Sequence, residues 1–160
     1  MIHDAKRSRT DILIFLAGVC GIVLVDRFSK IFFSGLLELN ESLALIKNIF
    51  HFTLVHNTGI AFGLFKDRGM VFVLIPLVLT GLLIYNIYYY RHSEHLSRTY
   101  IAAFALILGG AIGNLIDRIA FGYVIDFIDF RVWPVFNVAD SAITIGAAVI
   151  LLKCIPSSSK

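Results

Sequence analysis

Four stretches of the sequence contain no charged side chain, and they limit the fold more than any other feature. They cover residues 12–25, 70–90, 99–116 and 141–152. A bilayer core about 30 Å thick is crossed by about 20 helical residues, so the shorter stretches must include some flanking polar residues. We therefore predict an all-α polytopic membrane protein with four transmembrane helices, at about 12–33, 70–90, 99–118 and 137–153.

The amino-acid composition leads to the same class of protein. Apolar residues make up 58% of the 160-residue chain and charged residues 16%, against roughly 25% charged residues in an average soluble protein. A soluble domain of this size has too much surface to cover with so few charges. The length fits one integral membrane domain over residues 1–160. The Lys and Arg residues are scattered, which argues against a nucleic-acid partner, and two Cys do not make a disulfide framework.

The distribution of basic residues predicts the orientation. Four spans place both termini on one side, and the short segments there are rich in Lys and Arg, so we expect both termini in the cytoplasm. Residues 34–69 and 119–136 then form the outer loops. Segment 45–55 alternates β-branched and aromatic residues, which predicts a strand or short sheet on the outer membrane surface. Segment 121–136 is also apolar, and we expect it to be half immersed in the membrane interface.

The acidic residues are few enough to be placed one by one. Five of the 11 fall at the outer ends of the predicted spans or in the loop between the last two. These five are Asp26, Asp117, Asp126, Asp129 and Asp140. An ionised carboxylate at this depth costs several kcal/mol unless it is paired or hydrated. Five such groups at one membrane level indicate a functional site.

Asp126 and Asp140 are the most informative pair. In the sequence only Arg131 is available to neutralise Asp126, and Asn137 precedes Asp140 by three residues. Two neighbouring carboxylates share a proton, so that one acts as a base and the other as an acid. Such a pair, here called the dyad, activates a water for attack on a peptide carbonyl. On these residues alone, an aspartyl hydrolase and a cation or proton pathway fit equally well.

Other polar residues have structural as well as functional interpretations. Asp26 and Lys30 are four apart, acid first, which favours an ion pair on one helical face. Asn114 lies deep in a span, and Asp117 beside Arg118 is interpreted as a charge pair. The glycines at 109, 110 and 113 favour close helix packing, and segment 57–63 is a polar turn that begins with Asn57.

Taken together, segments 26–30, 57–62, 109–118, 124–130 and 136–142 resemble, in order, the bacterial prolipoprotein signal peptidase (type II signal peptidase) family. The resemblance implies four transmembrane helices with a small extracytoplasmic β-sheet and a surface helix that clasp the substrate. It also implies an aspartic endopeptidase without metal or cofactor, with Asp126 and Asp140 as the catalytic dyad. The residues that it places around the substrate or the dyad are Asp26, Lys30, Asn57, Gly109, Asn114, Arg118 and Asn137.

The resemblance further implies a substrate and a location. The substrate would be a prolipoprotein whose Cys carries diacylglycerol, cleaved on the amino side of that Cys. The enzyme would be a monomer in the bacterial cytoplasmic (inner) membrane, in contact with lipid, with its active site near the outer face. Cyclic peptide antibiotics such as globomycin would bind the dyad. The chain departs from the family pattern at Arg27, where Gln is common, and we expect this charge near the entrance, close to lipid head groups.

Three other readings have less support in the sequence. Ser29 and Lys30 could suggest a Ser/Lys peptidase, but adjacent helical residues point about 100° apart. Segment 92–95 has two histidines without the spacing of a zinc protease, and His51 and His56 are isolated. A transporter would need polar residues across the whole bilayer, whereas here they collect at one side.

Overall fold

The computed structural model of the protein describes residues 2–58, 85 and 97–154. The elements in these ranges are, in chain order, α1 (Ile2–Leu36), β1 (Ser42–Ile46), β2 (Phe50–Asn57), α2 (Arg98–Phe121), β3 (Val124–Asp129) and α3 (Val138–Cys154). The described part is therefore mostly helical with a small sheet, as predicted. The second predicted span, 70–90, lies outside the described residues except for Tyr85, which is helical.

Within the described ranges, two helices are long and apolar enough to cross a membrane. They are Arg9–Leu36, which is most of α1, and the whole of α2. The last predicted span is the 17-residue helix α3, about 26 Å long at 1.5 Å per residue. On α1 the apolar Phe28 and Ile31 are 73% and 69% exposed, whereas Asp26 and Lys30 are fully buried. This distribution suits a helix that faces lipid and packs its polar side chains inward.

Helix α2 packs against both α1 and α3. Small residues make this possible, because a Cβ atom at Gly109 would lie 2.8 Å from Cβ of Ile22 on α1. A Cβ at Gly110 would overlap the backbone carbonyl of Ala139 on α3. The prediction of close helix packing through this glycine segment is confirmed.

The three strands form one antiparallel sheet in the order β1-β2-β3. The sheet predicted from segment 45–55 is confirmed as two strands joined by a turn, in which Asn48 has a positive φ of 63°. That segment 121–136 is half immersed in the membrane interface stays a prediction, and the structure adds that residues 124–129 are regular. These residues form β3 and are mostly buried, because their apolar side chains pack against protein. No helix occurs in the described outer segments 37–58 and 122–137, so the predicted surface helix stays a prediction.

Aromatic side chains fix the sheet to the C-terminal end of α1. The ring centroid of Phe33 lies 4.3 Å from that of Phe52 on β2 and 4.4 Å from that of Phe127 on β3. Leu37 and Leu54 are buried beside these rings. The packing brings β3 next to the polar ends of the three helices, where the predicted site residues lie.

Candidate active site

Asp126 lies in β3 and is 1% exposed. Its Oδ1 atom accepts a hydrogen bond from Nδ2 of Asn137 at 2.6 Å, and its Oδ2 atom accepts one from Nδ2 of Asn57 at 2.8 Å. An irregularity in the β2–β3 register places Val55 opposite Asp126, with Asn57 two residues further along β2. The sheet therefore supplies both the carboxylate and one of its amide donors.

The environment of Asp126 favours its protonated form. Burial raises the pKa of Asp126 from 3.8 to about 7. The hydrogen bond from Asn57 acts against this rise, as do the hydrogen bond from Asn137 and the charge of Lys30, whereas the charge of Asp140 adds to it. A carboxyl group with this pKa is available as either an acid or a base at neutral pH.

Asp140 is the third residue of α3, and it is bonded to the residue that precedes the helix. Oδ1 of Asn137 accepts a hydrogen bond from the Asp140 amide at 2.9 Å, and Oδ2 of Asp140 accepts one from the Asn137 amide at 3.3 Å. This reciprocal pair has the pattern of a capping box, with Asn and Asp as its members. The other carboxylate oxygen, Oδ1, accepts a hydrogen bond from Nδ2 of Asn114 at 2.8 Å.

Two asparagines join the two carboxylates into one network. Nδ2 of Asn137 lies 2.6 Å from Asp126 and 3.1 Å from Oδ1 of Asn114, whose own Nδ2 donates to Asp140. Both asparagines are buried, at 0% and 5% exposure. Buried amides with all these partners hold the carboxylates in fixed orientations. The family resemblance implied that these four residues share one site, and in the structure they form one hydrogen-bond network.

Behind this network is an ion cluster formed by Asp26, Lys30 and Asp117, all fully buried. Nζ of Lys30 lies 2.8 Å from Asp26 and 2.7 Å from Asp117, and it donates to Oδ1 of Asn114 at 3.0 Å. Asp26 also accepts a hydrogen bond from the amide of Ala139 at 3.0 Å, at the start of α3. The predicted Asp26–Lys30 ion pair is confirmed, and the structure adds a second carboxylate to it.

The remaining predicted residues differ in their relation to the dyad. Arg118 hydrogen-bonds the carbonyl of Asn114 in its own helix, at 3.5 Å, and lies within electrostatic range of both dyad carboxylates. Gly109 lies in the contact between α1 and α2, so its place in the structure is that of a packing residue.

The sequence suggested Arg131 as the partner that neutralises Asp126, but in the structure Arg131 bonds to Asp129 instead. Its side chain and its backbone amide both bond to Asp129, at 2.9 and 2.7 Å, and Thr53 donates to the same carboxylate at 2.7 Å. These hydrogen bonds outweigh burial and lower the pKa of Asp129. The physical reason is strand geometry. Asp126 and Asp129 are three residues apart in β3, so their side chains lie on opposite faces of the strand.

A family model for signal peptidase (SPase) II matches residues 18–156, which is most of the chain. The chain belongs to the signal peptidase II family. Relatives named lipoprotein signal peptidase support this assignment. One from Halothermothrix orenii is 45% identical over 82% of this chain and 88% of the relative, and one from Moorella thermoacetica is 45% identical over 81% and 84%.

Solved structures also resemble this signal peptidase II chain. A bacterial membrane enzyme solved by the in meso method at 1.9 Å has a TM-score of 0.79 and 28% identity, covering 93% of this chain and 94% of the other. A second one, solved at 2.3 Å, has a TM-score of 0.75 and 29% identity, covering 94% and 93%. The family resemblance inferred from the sequence motifs is confirmed. The prediction that the chain is a membrane peptidase is confirmed with it.

The sequence did not reveal the surroundings of Asp117 and Arg27 in this signal peptidase II chain. Asp117 pairs with Lys30 and with Nη2 of Arg27, at 2.5 Å, and it does not pair with the adjacent Arg118. The Arg27 side chain therefore points toward the ion cluster. The expectation that its charge lies near the entrance, close to lipid head groups, stays a prediction. The one available signal was the spacing of Asp117 three residues after Asn114, on the same helical face.

The alternative enzyme readings find little support in the described residues. The Ser29 hydroxyl donates to the backbone carbonyl of Asp26, while Lys30 is held in the ion cluster. His51 contacts Ser42 at 3.0 Å, and His56 stacks on Tyr123 with ring centroids 3.9 Å apart. No group of three or more His, Cys, Asp or Glu that could hold a metal ion occurs in the described ranges. Segment 92–95 lies outside them.

Proposed function

We propose that this protein removes the signal peptide from diacylglyceryl-modified prolipoproteins, as an aspartic endopeptidase that cleaves on the amino side of the lipidated Cys. Membership in the signal peptidase II family and relatives named lipoprotein signal peptidase support the substrate class. The observation that carries the aspartyl mechanism is the shared amide network, in which Asn137 bonds to both Asp126 and Asp140.

In the proposed mechanism the dyad holds one proton and one water. The ionised carboxylate takes a proton from the water as the water oxygen attacks the scissile carbonyl carbon. The protonated carboxyl donates a hydrogen bond to the developing oxyanion of the tetrahedral intermediate. When the carbon–nitrogen bond breaks, the leaving amine of the lipidated Cys takes up a proton from the dyad. Water and peptide bond are thereby converted to a carboxylic acid and an amine.

The amide network prepares the dyad for these steps. Asn57 and Asn137 hold Asp126, and Asn114 holds Asp140, so that neither carboxylate has to reorient during the reaction. Arg118 lies within electrostatic range of both carboxylates.

The lipid of the substrate supplies positioning. Diacylglyceryl chains that lie in the bilayer against the helices bring the scissile bond to a fixed depth, and such an anchor makes the reaction effectively unimolecular. In this proposal the site lies near the outer face of the bacterial inner membrane, with both termini in the cytoplasm. The enzyme acts as a monomer in this proposal, and globomycin-type cyclic peptides compete for the dyad.

An in vitro cleavage assay in detergent tests the proposal. Wild-type enzyme, with chelator present, should cleave lipidated prolipoprotein and leave the unlipidated form largely uncut. Asp126→Asn should lower kcat by about 10³-fold or more, as for other essential members of a catalytic unit. Asp129→Asn is the matched control, with the same change on the same strand, and should keep most of the activity.

Each contrary outcome removes a different part of the proposal. Loss of wild-type activity in chelator would indicate a metal enzyme. Equal cleavage of both substrates would remove the lipid anchor. Normal activity of Asp126→Asn would exclude the dyad.

A further inference from the structure

The strand β2 extends further toward the dyad than the chain that pairs with it on the β1 side. The last backbone hydrogen bonds on that side are at Leu54. Its amide donates to the carbonyl of Glu41 at 3.1 Å, and its carbonyl accepts from the amide of Asn40 at 2.8 Å. Asn40 has a positive φ of 68°, and the chain makes a turn there. Beyond Leu54, no described residue pairs with this edge of β2.

The backbone groups of His56 point out of this edge. In β3 the Ile125 amide donates to Oδ2 of Asp117 at 3.2 Å, and the Ile125 carbonyl accepts from Nδ2 of Asn137 at 3.2 Å. Both groups therefore face away from β2. Ile125 is the register partner of His56. In an antiparallel ladder such a pair exchanges no hydrogen bonds, so the amide and the carbonyl of His56 point away from β3.

The hydrogen bonds at Leu54 indicate the same direction for His56. Alternate residues of a strand direct their backbone groups to the same side, and these two residues are two positions apart. Leu54 bonds toward β1, so the groups of His56 also point to the β1 side. Among the described residues, none bonds to the amide or the carbonyl of His56. We call this donor and acceptor the open edge of β2.

The open edge lies next to the more accessible side of the dyad. Asn57 follows His56, is exposed, and donates to the buried carboxylate of Asp126. Asp140 is half-buried, so it is also more accessible than Asp126. A peptide bound along β2 at His56 would therefore run toward the side from which the two carboxylates can be reached.

We propose that the substrate peptide binds as an added strand at the open edge, where one of its residues exchanges two backbone hydrogen bonds with His56. This inference rests on the proposed function, because it concerns the binding of the same substrate. Strand addition is a common mode of peptide recognition, in which main-chain hydrogen bonds supply affinity without selecting a side chain. Here these bonds hold an extended peptide in position for the dyad.

The spacing of strands limits which substrate residue can pair with His56. Neighbouring strands lie about 4.8 Å apart, so an added strand would run about 10 Å from the backbone of β3, which carries Asp126. An extended chain advances about 3.3 Å per residue. The paired residue therefore lies within about three residues of the scissile bond.

Ester substitution in the substrate tests the proposal without changing the enzyme. In a synthetic prolipoprotein peptide with a diacylglyceryl Cys, one backbone amide at a time is replaced by an ester, which has no N–H donor, and the scissile amide is kept. We expect an ester at the paired residue to lower kcat/KM about three- to tenfold, the effect of one hydrogen bond, mainly through KM. Esters more than about three residues from the scissile bond should have no effect.

A proline at position 56 removes the donor on the enzyme. The His56 amide takes no part in the pairing of β2 with β3, and Pro is tolerated where the N–H points out of a sheet. The substitution also removes the ring that stacks on Tyr123, so His56→Pro is compared with His56→Ala, which loses the ring and keeps the amide. We expect kcat/KM of the Pro variant to be about three- to tenfold below that of the Ala variant.

Ala44→Pro is the matched control. Leu43 pairs with Phe52, which directs its backbone groups to β1 as Leu54 does, so the amide of Ala44 points out of the sheet. Ala44 lies in β1, which is separated from β3 by β2. Its Pro variant loses an outward amide far from the dyad and should keep the wild-type kcat/KM.

The two tests are coupled when substrate and enzyme are changed together. The ester that weakens the carbonyl bonded to the position 56 amide should cost less in the Pro variant than in the Ala variant, because the same hydrogen bond is removed twice. Full additivity at every ester position would contradict a bond between His56 and the substrate.

Two further results would overturn the inference. One is a series in which no ester within about three residues of the scissile bond lowers kcat/KM. The other is an equal kcat/KM for folded Pro and Ala variants. Melting temperatures show whether the Pro variant is folded, and if it is not, the ester series decides alone. Failure of the proposed function would appear separately, as normal cleavage by Asp126→Asn.

Discussion

At the scale of single residues, the proposed mechanism depends on a carboxyl group that is buried where its ionised form is unfavourable. Asp126 is 1% exposed, and its pKa is raised to about 7 mainly by burial. A raised pKa means that the folded state binds the proton more tightly than the unfolded state does. The contribution of Asp126 to stability is therefore full at low pH and is lost as the pH rises from about 4 through 7.

This linkage gives a prediction for Asp126→Asn. The difference in unfolding free energy between variant and wild type should change in favour of the variant as the pH rises from 5 to 7, by at most about 1.4 kcal/mol per pH unit. The physical reason is that the amide never ionises. Thermal unfolding of both proteins in detergent at several pH values measures the difference, and parallel pH curves would contradict the raised pKa.

Asn137 has two roles that a substitution can separate. Its Oδ1 atom accepts the Asp140 amide at the start of α3, and its Nδ2 atom donates to Asp126. Ser at this position can cap the helix but has no amide to donate. The residue thus links the stability of a helix terminus to the geometry of the dyad.

We predict that Asn137→Ser loses most activity with little loss of the capping contribution, and that Asn137→Ala loses both. The missing cap should cost about 1 kcal/mol in the Ala variant relative to the Ser variant. Cleavage rates and melting temperatures of the two variants, measured side by side, check this. An active Ser variant would show that the amide donor is not needed.

At the scale of elements, α2 determines how the polar ends of the helices meet. Gly110 allows the backbone of α3 to approach at Ala139, immediately before Asp140. A Cβ at Gly113 would lie 2.6 Å from Oδ2 of Asp26, so this glycine leaves room for the carboxylate. The glycines of this short segment therefore allow close helix packing and also leave room for a carboxylate of the site. Their small size predicted the packing but gave no indication of the carboxylate.

Gly110→Ala and Gly21→Ala make a matched pair of substitutions. The new methyl at 110 would overlap the Ala139 carbonyl, whereas among the described residues nothing lies within 4 Å of a Cβ at 21. We expect Gly110→Ala to destabilise by about 1–3 kcal/mol and to reduce cleavage, because α3 is displaced. Gly21→Ala should be neutral or stabilising by about 0.5–1 kcal/mol. Equal melting temperatures for the two variants would show that α2 and α3 do not need this close approach.

The elements also show how far sequence reasoning reaches. The helices at 2–36, 98–121 and 138–154 follow from the charge-free stretches, because lipid requires long apolar helices. The strand β3 was missed, since its pairing with β2 joins residues about 70 positions apart and its apolar pattern fits an immersed loop equally well. The partners of Asp117 were missed for the same reason, because Arg27 is 90 positions away and meets it only through helix packing.

At the scale of the whole molecule, the described helices expose many large apolar side chains and bury several charged ones. Large apolar side chains such as Phe28 and Leu151 are mostly exposed, whereas Asp26, Lys30 and Asp117 are fully buried. Lipid as the surrounding solvent accounts for this arrangement, and it concentrates the cost of burying charge at one place. The candidate active site lies at that place. Lipid as the surrounding solvent therefore accounts both for the low charge content of the sequence and for the clustering of its buried charges at the candidate site.

The central claim is that Asp126 and Asp140 act together on the scissile bond. The most direct measurement is single-turnover cleavage of a diacylglyceryl-modified prolipoprotein by Asp140→Asn, beside wild type in the same detergent, with melting temperatures to show that both are folded. We predict a rate lowered by about 10³-fold or more in a folded variant, as when a member of a catalytic unit is removed. Cleavage by folded Asp140→Asn at the wild-type rate would contradict the account.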